Sequence, residues 1–450
     1  MKLRPLHATV IVFAVALALY LPALRNGFAY DDVAVIQGDP RVHSLAHTAA
    51  IFTRGYWADA DLALYRPLTT LSFAMDWTLS GGKPAWFLFT NALWNATVCA
   101  LVFAFLTRFA APAAALGAAL LFAVHPVHVE AVANIVGRAE LIAGAFTFGA
   151  LLLWPSTSAP QLARVAGVGL LFALALLTKE SAIMLPALLV LIDVARAELT
   201  PATARQWLRR RAGGLLMLAG IAGAYLGIRA IVLGGIVPTR LDAALEVTSG
   251  VDRVFTALQA WPVYLQLLLM PVVLLADYGP RILMPALGPT PAAIGGAFIL
   301  AVLTVGGLIS WRRGRGDVAL ALLWLPVTLL PVSNLIIPIG IIVAERTLYV
   351  PSLVLALGVA LAADRLSLRP PLRLAGAAAL ALVFVLFAGR TLVRIPEWRS
   401  TDSIFAALLR DRPDSFRAHW HHARTASAGG RHDVALERYA RALELWPFRR

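Results

Sequence analysis

A chain of 450 residues in which 60% are hydrophobic and only 14% are charged differs from a soluble domain, where roughly a quarter of the residues carry charge. Its mean hydropathy of +0.76 and its recurrent apolar runs of bilayer length predict an integral membrane protein of the all-α class. The formal net charge of +14 does not indicate nucleic-acid binding, because most arginines lie in short loops between the apolar runs, where they report membrane orientation.

Eleven apolar runs are predicted to cross the membrane as helices. The first follows Lys2 and Arg4 and has no small-residue cleavage site, so it is interpreted as a retained helix rather than a signal peptide. The basic cluster Arg209 to Arg211 gives the strongest positive-inside signal and is predicted to be cytoplasmic. The single cysteine, Cys99, lies inside a run, so no disulfide within the chain is expected. The predicted spans are 8–24, 84–106, 111–124, 139–154, 163–177, 182–195, 212–233, 291–310, 317–332, 347–363 and 374–393.

A further apolar stretch, 254–276, is predicted to be a broken or re-entrant element rather than a full crossing. Pro262 and Pro271 interrupt it. A full crossing would also place the basic pair Arg312 and Arg313 outside, against the positive-inside rule. With this choice, the acid-bearing loops and the C-terminal tail all fall on the outer face.

The first candidate site residues are Asp31 and Asp32, in the segment FAYDD at 28–32 directly after the first span. Two adjacent carboxylates at the mouth of a membrane helix are costly unless they face water, a partner charge or a reacting group. We interpret them as the acid/base end of an active site, and one alternative is a solvated loop start that caps the following segment.

The second candidate cluster is His125, His128 and Glu130, followed by Arg138. Three interpretations stay open: a structural hydrogen-bonded corner, contact with a substrate or lipid phosphate, and a divalent metal site of imidazole and carboxylate ligands. The metal interpretation lacks the spacing of a strong motif such as H-E-x-x-H, so no metal is predicted.

Two further clusters carry cations beside the predicted outer loops. Lys179 and Glu180 break an apolar run, and an internal ion pair that holds two helix ends is as good an interpretation as a phosphate site. Asn334 precedes Glu345 and Arg346, and an arginine there can grip a phosphate with two hydrogen bonds. Several cations beside a membrane cavity, with a carboxylate opposite, predict an anionic lipid-linked substrate.

The tail after Arg394 is polar and amphipathic, which predicts a separate helical segment at 395–450 behind a membrane domain at 1–394. Pro413 and Pro447 lie 34 residues apart, the period of a tetratricopeptide repeat. Helices are predicted over 400–412, 416–427 and 433–445, with the turn between the last two at Gly429 and Gly430. A single helical pair cannot bury its own face, so either a longer array follows or this pair docks on the membrane domain.

Several segments along the chain resemble the transmembrane and tetratricopeptide-repeat-containing (TMTC) O-mannosyltransferases and their bacterial relatives, which belong to the GT-C superfamily of glycosyltransferases. The segments run in family order and are FAYDD at 28–32, YRPLTTLSF at 65–73, HPVHVEAVANIVGRAEL at 125–141, TKESAI at 178–183, ADY at 276–278, PVSNLIIPIGIIVAERTLYVPS at 331–352 and RTLVRIPEW at 390–398.

The resemblance implies a GT-C-type helical bundle that transfers a sugar, mannose or another hexose, from a polyprenyl phosphate to a hydroxyl with inversion. It also implies that Asp31 or Asp32 is the catalytic base, without deciding which. The expected donor is a polyprenyl-phosphate sugar, and a divalent metal stays an open alternative that no motif supports. The predicted donor-binding residues are Arg66, His125, His128, Glu130, Arg138, Lys179, Glu180, Asn334, Glu345 and Arg346.

The expected partners are the lipid-linked donor and a protein acceptor brought by the tail, without nucleic acid. The expected location is a bacterial inner membrane, or the endoplasmic reticulum if the source is eukaryotic, with the active site outside the cytoplasm. Two alternatives from other classes are a non-catalytic membrane-anchored repeat scaffold and a flippase for lipid-linked substrates. A scaffold has no need of the outer-face acids and cations, so the surroundings of Asp31 and Asp32 discriminate between these functions.

Overall fold

The computed structural model describes residues 4–57, 64–155, 162–235, 243–248, 250–279, 281–366 and 370–446. Every regular element in those ranges is helical, so the predicted all-α class is confirmed. In chain order the α-helices are α1 (Pro5–Tyr20), α2 (Thr48–Thr53), α3 (Pro67–Ser80), α4 (Pro84–Leu106), α5 (Pro112–Ala123), α6 (Val129–Val132), α7 (Arg138–Leu153), α8 (Leu162–Thr178), α9 (Leu185–Ala195), α10 (Ala204–Leu233), α11 (Ala243–Glu246), α12 (Gly250–Leu258), α13 (Ala260–Leu269), α14 (Pro291–Arg312), α15 (Gly316–Leu329), α16 (Leu353–Leu366), α17 (Pro370–Arg394), α18 (Thr401–Asp411), α19 (Phe416–Ala428) and α20 (His432–Leu445).

Several of these helices have the length and apolar composition that membrane crossing requires. By length and composition, seven helical segments of the described ranges can cross a membrane, or up to eight if α5 and α6, bent by 48°, form one span. The apolar helices Leu162–Thr178 and Gly316–Val332 are shorter. An integral multi-pass membrane protein is thus confirmed, while the count of eleven spans stays a prediction.

Helix α4 lies at the centre of the bundle, against α1, α5 and α7. Pro84 opens it in the first turn, where a backbone N–H would have no partner within the helix. The buried Ala92 lets neighbouring helices approach closely. Asn91 of α4 donates hydrogen bonds to the carbonyls of Val132 and Ile135, each at 3.2 Å, and so fixes the irregular segment between α6 and α7.

That irregular segment requires glycine at position 137. A Cβ atom on Gly137 would lie 2.5 Å from the carbonyl oxygen of Ala131, closer than any side chain tolerates. The tight turn leaves the backbone N–H groups of Ile135 and Val136 turned towards the loop that follows α1, where they bind a carboxylate.

The interrupted stretch 254–276 forms parts of two short helices and a non-helical segment. α12 ends at Leu258 and α13 begins at Ala260, while Pro271 lies in the irregular chain that follows Leu269. Gly296 of α14 packs so closely on this pair that a Cβ there would lie 1.9 Å from the carbonyl oxygen of Leu258. Whether the stretch crosses the membrane stays a prediction.

The tail forms three helices, α18 to α20, at the positions that the sequence predicts. It docks on the membrane part: Arg417 pairs with Asp277, and Arg281 donates to the carbonyl of Leu445 at 2.8 Å. Pro447, on which the 34-residue period depends, lies outside the described residues. The tetratricopeptide assignment and the boundary at residue 394 therefore stay predictions.

Candidate active site

One cavity of about 580 Å3 brings together residues from distant parts of the chain. Its apolar lining comes mainly from the loop between α15 and α16, and the charged side chains on its described walls are four arginines and two carboxylates. A positively charged, partly apolar cavity of this size suits an anionic ligand that also has a hydrocarbon portion. The polar and aromatic lining residues are Tyr30, Asp31, Tyr56, Trp57, Arg66, Glu180, Tyr225, Arg229, Arg346 and Arg417.

Asp31 is the acid of the FAYDD motif that reaches this cavity. Its side chain is 21% exposed, and its carboxylate lies 3.4 Å from the guanidinium of Arg346. The preceding residue, Tyr30, has a left-handed backbone with φ of 56°, which turns the chain sharply at this point. Asp31 therefore stands at a cavity wall beside a cation.

Asp32 faces the protein interior instead. It is fully buried and accepts hydrogen bonds from the backbone N–H groups of Ala29, Ile135 and Val136 at 3.2, 3.3 and 2.8 Å. These bonds join the first loop to the turn before α7, so Asp32 holds the wall of the cavity together. Burial raises the pKa of Asp32 to about 7 from its ordinary value of 3.8, although the backbone donors oppose the rise.

This raised pKa predicts a pH dependence of stability. The folded state keeps a proton on Asp32 that the unfolded chain releases between about pH 4 and pH 7, so the group's contribution to stability falls as pH rises through that window. Asparagine cannot ionise. We expect the difference in Tm between wild type and Asp32→Asn, measured in detergent, to shrink from pH 4 to pH 7, whereas a constant difference would contradict the assignment.

Arg346 joins two acids that the sequence places far apart. Its guanidinium lies 3.4 Å from Asp31 and 3.2 Å from Glu130, and its backbone N–H donates to the other oxygen of Glu130 at 2.9 Å. Glu130 is buried behind it, so one face of the guanidinium is anchored while the rest lines the cavity. The preceding Glu345 points away, where it accepts hydrogen bonds from Tyr278 and the backbone of Leu275.

A second arginine, Arg66, also lines the cavity, and it forms a bidentate ion pair with Glu180. Its Nε and a terminal nitrogen donate to the two carboxylate oxygens at 2.9 and 2.5 Å. The guanidinium also stands 5.3 Å from the ring centre of Tyr56. Burial alone would raise the pKa of Glu180, but the charge and hydrogen bonds of Arg66 outweigh it and hold the pKa at about 2.

The two predicted histidines lie away from the cavity lining. His125 is within 2.9 Å of the carbonyl of Leu268, and His128 is within 2.8 Å of the hydroxyl of Ser352. Both are buried, so the geometry corresponds to the hydrogen-bonded corner among the three interpretations. Among the residues that the structure describes, no three His, Cys, Asp or Glu side chains are grouped as metal ligands.

Arg138 and Lys179 each form an ion pair inside the protein, with different acids. Arg138 pairs with Asp76 at 2.6 Å and donates to Asn91 at 2.7 Å, and Lys179 pairs with Glu140. All four charged side chains are nearly inaccessible to solvent and none lines the cavity. Lys179 is thus in an internal pair, but its partner is Glu140, whereas Glu180 pairs with Arg66.

Asn334 shapes the cavity without facing it. Its left-handed backbone, φ 60°, starts the loop that carries most of the apolar lining. Its amide donates to the carbonyl of Ile341 at 3.0 Å and accepts from the backbone N–H of Ile339 at 2.7 Å. The loop is thus closed at its base by one side chain.

The buried pair of Arg138 predicts a large loss of stability on substitution. Arg138→Met leaves Asp76 as an uncompensated buried charge, which costs about 3–5 kcal/mol of unfolding free energy. A matched control is Arg365→Met, because Arg365 forms an exposed pair with Asp317 that contributes less than about 1 kcal/mol. Equal changes in chemical denaturation of the two variants would contradict this role.

Sequence reasoning missed several cavity residues, chiefly Tyr56, Tyr225, Arg229 and Arg417. Arg229 carried a usable signal, since an arginine inside an otherwise apolar membrane helix usually faces a polar cavity. Arg417 carried none, because it belongs to the tail and reaches the site only through the docking of α19.

No protein-family model matches the chain. Among curated proteins, Protein O-mannosyl-transferase TMTC3 of Mus musculus is 30% identical over 436 residues, covering 90% of this chain and 47% of that protein. Protein O-mannosyl-transferase F38B6.6 of Caenorhabditis elegans is 27% identical and covers 97% of this chain and 62% of that protein. The chain thus spans about half the length of the curated relatives it matches.

Among solved structures, ArnT from Cupriavidus metallidurans bound to undecaprenyl phosphate superposes with a TM-score of 0.46 at 15% identity, covering 97% of this chain and 75% of that chain. The alignments with these two sequence relatives extend over 90% and 97% of the chain. The resemblance is thereby confirmed: over most of its length, this chain is similar to the TMTC protein O-mannosyl-transferases.

Proposed function

We propose that this chain is a membrane glycosyltransferase that moves a sugar from a polyprenyl phosphate to a hydroxyl group of a protein. The observation that carries the proposal is the ion pair of Asp31 and Arg346 on the wall of a positive, partly apolar cavity. A base beside a phosphate-binding cation is the minimum that such a transfer requires. The names of the sequence relatives support mannose as the sugar and protein as the acceptor.

The geometry supports the following roles in the transfer. The acceptor hydroxyl gives its proton to a carboxylate oxygen of Asp31 while its oxygen attacks the anomeric carbon of the sugar. The bond from that carbon to the phosphate oxygen breaks on the opposite side, so the configuration inverts. Arg346, Arg229 and Arg66 balance the negative charge of the polyprenyl phosphate that leaves.

Asp31, rather than Asp32, is proposed as the base. A general base must be within hydrogen-bond reach of the proton it accepts, and Asp31 faces the cavity. The oxygens of Asp32 are occupied by three backbone donors and its side chain has no exposure. Its proposed role is to fix the wall on which Asp31 stands.

The exposed apolar side chains at the cavity support a lipid-linked donor over a soluble nucleotide sugar. Ile336 and Ile337, in the loop held by Asn334, are 68% and 44% exposed and also line the cavity. An irregular loop that exposes isoleucine beside an arginine-lined chamber offers one surface to a hydrocarbon chain and another to its phosphate. A soluble nucleotide sugar would gain nothing from the first surface.

Helix α10 supports an extracytoplasmic location for the cavity. Its N-terminal end carries Arg209, Arg210 and Arg211, whereas Arg229 near its C-terminal end lines the cavity. At a rise of about 1.5 Å per residue, Arg209 and Arg229 are about 30 Å apart, the thickness of a bilayer core. If the arginine cluster is cytoplasmic, the cavity opens on the other side.

The test is transfer by the purified full chain in proteoliposomes. Undecaprenyl-phosphate mannose serves as the donor probe and a peptide containing serine and threonine as the acceptor, with the mannosylated peptide measured by mass spectrometry. Mannosyl peptide from wild type but not from Asp31→Asn is the expected result. Movement of the donor across the bilayer without any peptide product would favour the flippase, and neither activity would favour the scaffold.

A further inference from the structure

The tail makes four contacts with residues 26–30, the loop that precedes Asp31 and is called the catalytic loop below. The side chain of Asn26 donates to the carbonyl of Ile395 at 2.9 Å, and the backbone N–H of Gly27 donates to the carbonyl of Arg399 at 2.9 Å. The remaining two contacts are made by Tyr30. These bonds bridge more than 360 positions in sequence, and they all end on the few residues before Asp31.

Tyr30 is held at both its backbone and its ring. Its N–H donates to the hydroxyl oxygen of Thr401 at 2.9 Å, and its ring meets the edge of Phe405 with centroids 5.8 Å apart. Its φ of 56° is unfavourable for an aromatic residue, so this conformation persists only where the surroundings fix it. The tail residues Thr401 and Phe405 belong to those surroundings.

We infer that Thr401 is a positioning residue for the transfer reaction, which makes the tail a part of the active site and not only an acceptor-binding attachment. By fixing Tyr30 in its left-handed turn, Thr401 sets the direction in which Asp31 enters the cavity. The inference rests on the proposed role of Asp31 as the base. Misplacement of a catalytic group by about 1 Å costs up to roughly 100-fold in rate. The loss of one hydrogen bond that positions Asp31 can therefore lower the rate of transfer.

A second tail residue supports the same conclusion. Arg417 of α19 lines the cavity and pairs with Asp277, which follows α13. The tail therefore contributes one cavity residue directly, Arg417, and contacts a second, Tyr30, through Thr401. The tail thus meets the cavity at two places, beside Asp277 and beside the loop that carries Asp31.

The experiment compares Thr401→Val with Thr401→Ser in the transfer assay. Valine keeps the branched shape but has no acceptor for the N–H of Tyr30, whereas serine keeps the acceptor. We expect Thr401→Val to lower kcat roughly 10-fold, as the loss of one partly buried hydrogen bond allows, with the donor KM unchanged. Thr401→Ser should restore most of kcat.

Two further variants separate positioning from folding. Thr425→Val is the matched control in the same tail, because its hydroxyl is exposed and donates to the exposed carboxylate of Asp402, and it should leave kcat unchanged. Gly27→Ala disturbs the neighbouring contact of the same loop with the tail, since its Cβ would lie 3.3 Å from the carbonyl oxygen of Arg399, and it should lower kcat as Thr401→Val does.

The inference is overturned if Thr401→Val turns over like wild type, or if valine and serine lower kcat equally. It is also overturned if only the donor KM changes. Asp31→Asn in the same assay distinguishes the two proposals: full activity of that variant removes the base assignment itself, whereas its inactivity together with a normal Thr401→Val removes the positioning role alone. Thermal unfolding of each variant verifies that the compared molecules are folded.

Discussion

Replacing Asp31 by asparagine is expected to lower the rate of sugar transfer roughly 10²- to 10⁴-fold, the contribution of a positioned general base. Asparagine preserves the size of the side chain and can still accept a hydrogen bond from Arg346, so the cavity keeps its shape. What it loses is the ability to take the proton of the acceptor hydroxyl. The measurement is kcat with saturating donor and acceptor, and the donor KM should change little.

The neighbouring acid supplies the control for this result. Asp32→Asn changes the same atoms one residue away, but it places an amide N–H against the backbone donors of Val136, Ile135 or Ala29. We expect it to lower the amount of folded protein and its Tm more than the kcat of the folded fraction. The assignment of the base is wrong if Asp32→Asn abolishes turnover in folded protein while Asp31→Asn retains it.

The long apolar helices were predictable because a bilayer imposes length and composition on a helix that crosses it. The second predicted span, 84–106, coincides with α4, whereas α3 lies in a segment between the first two predicted spans that the sequence predicts to be a polar loop. Helix α10 begins earlier than its predicted span at 212, since its first two turns carry the arginine cluster beyond the apolar run. Sequence hydropathy detects the apolar part of a helix and not its polar extension.

The site was predictable only by residue type. Asp31 and Asp32, like Glu345 and Arg346, are neighbours that face different surroundings. In an irregular loop the sequence does not show which of two adjacent side chains points inward, because the loop lacks the regular periodicity of a helix or strand. Here the direction depends on a left-handed tyrosine that is fixed by a residue of the tail, a contact without a local sequence signal.

The second large effect is expected at Arg346. Arg346→Gln removes a planar cation that faces the cavity beside the proposed base, and losing one preorganised donor to a developing negative charge costs roughly 10²- to 10³-fold in kcat. Arg346→Lys keeps the charge but not the fork of two hydrogen bonds, so an intermediate loss is expected. The measurements are kcat and donor affinity in proteoliposomes.

Arg346 also neutralises Glu130, whose side chain is 3% exposed, so the effect on folding must be separated from the effect on transfer. Removing one partner of a buried pair costs about 3–5 kcal/mol of stability, because the other charge is left uncompensated. The double variant Arg346→Gln with Glu130→Gln removes both charges and should regain most of that stability while kcat stays low. If instead the double variant regains wild-type turnover, Arg346 serves only to neutralise Glu130, and the leaving phosphate must be stabilised by other arginines of the cavity.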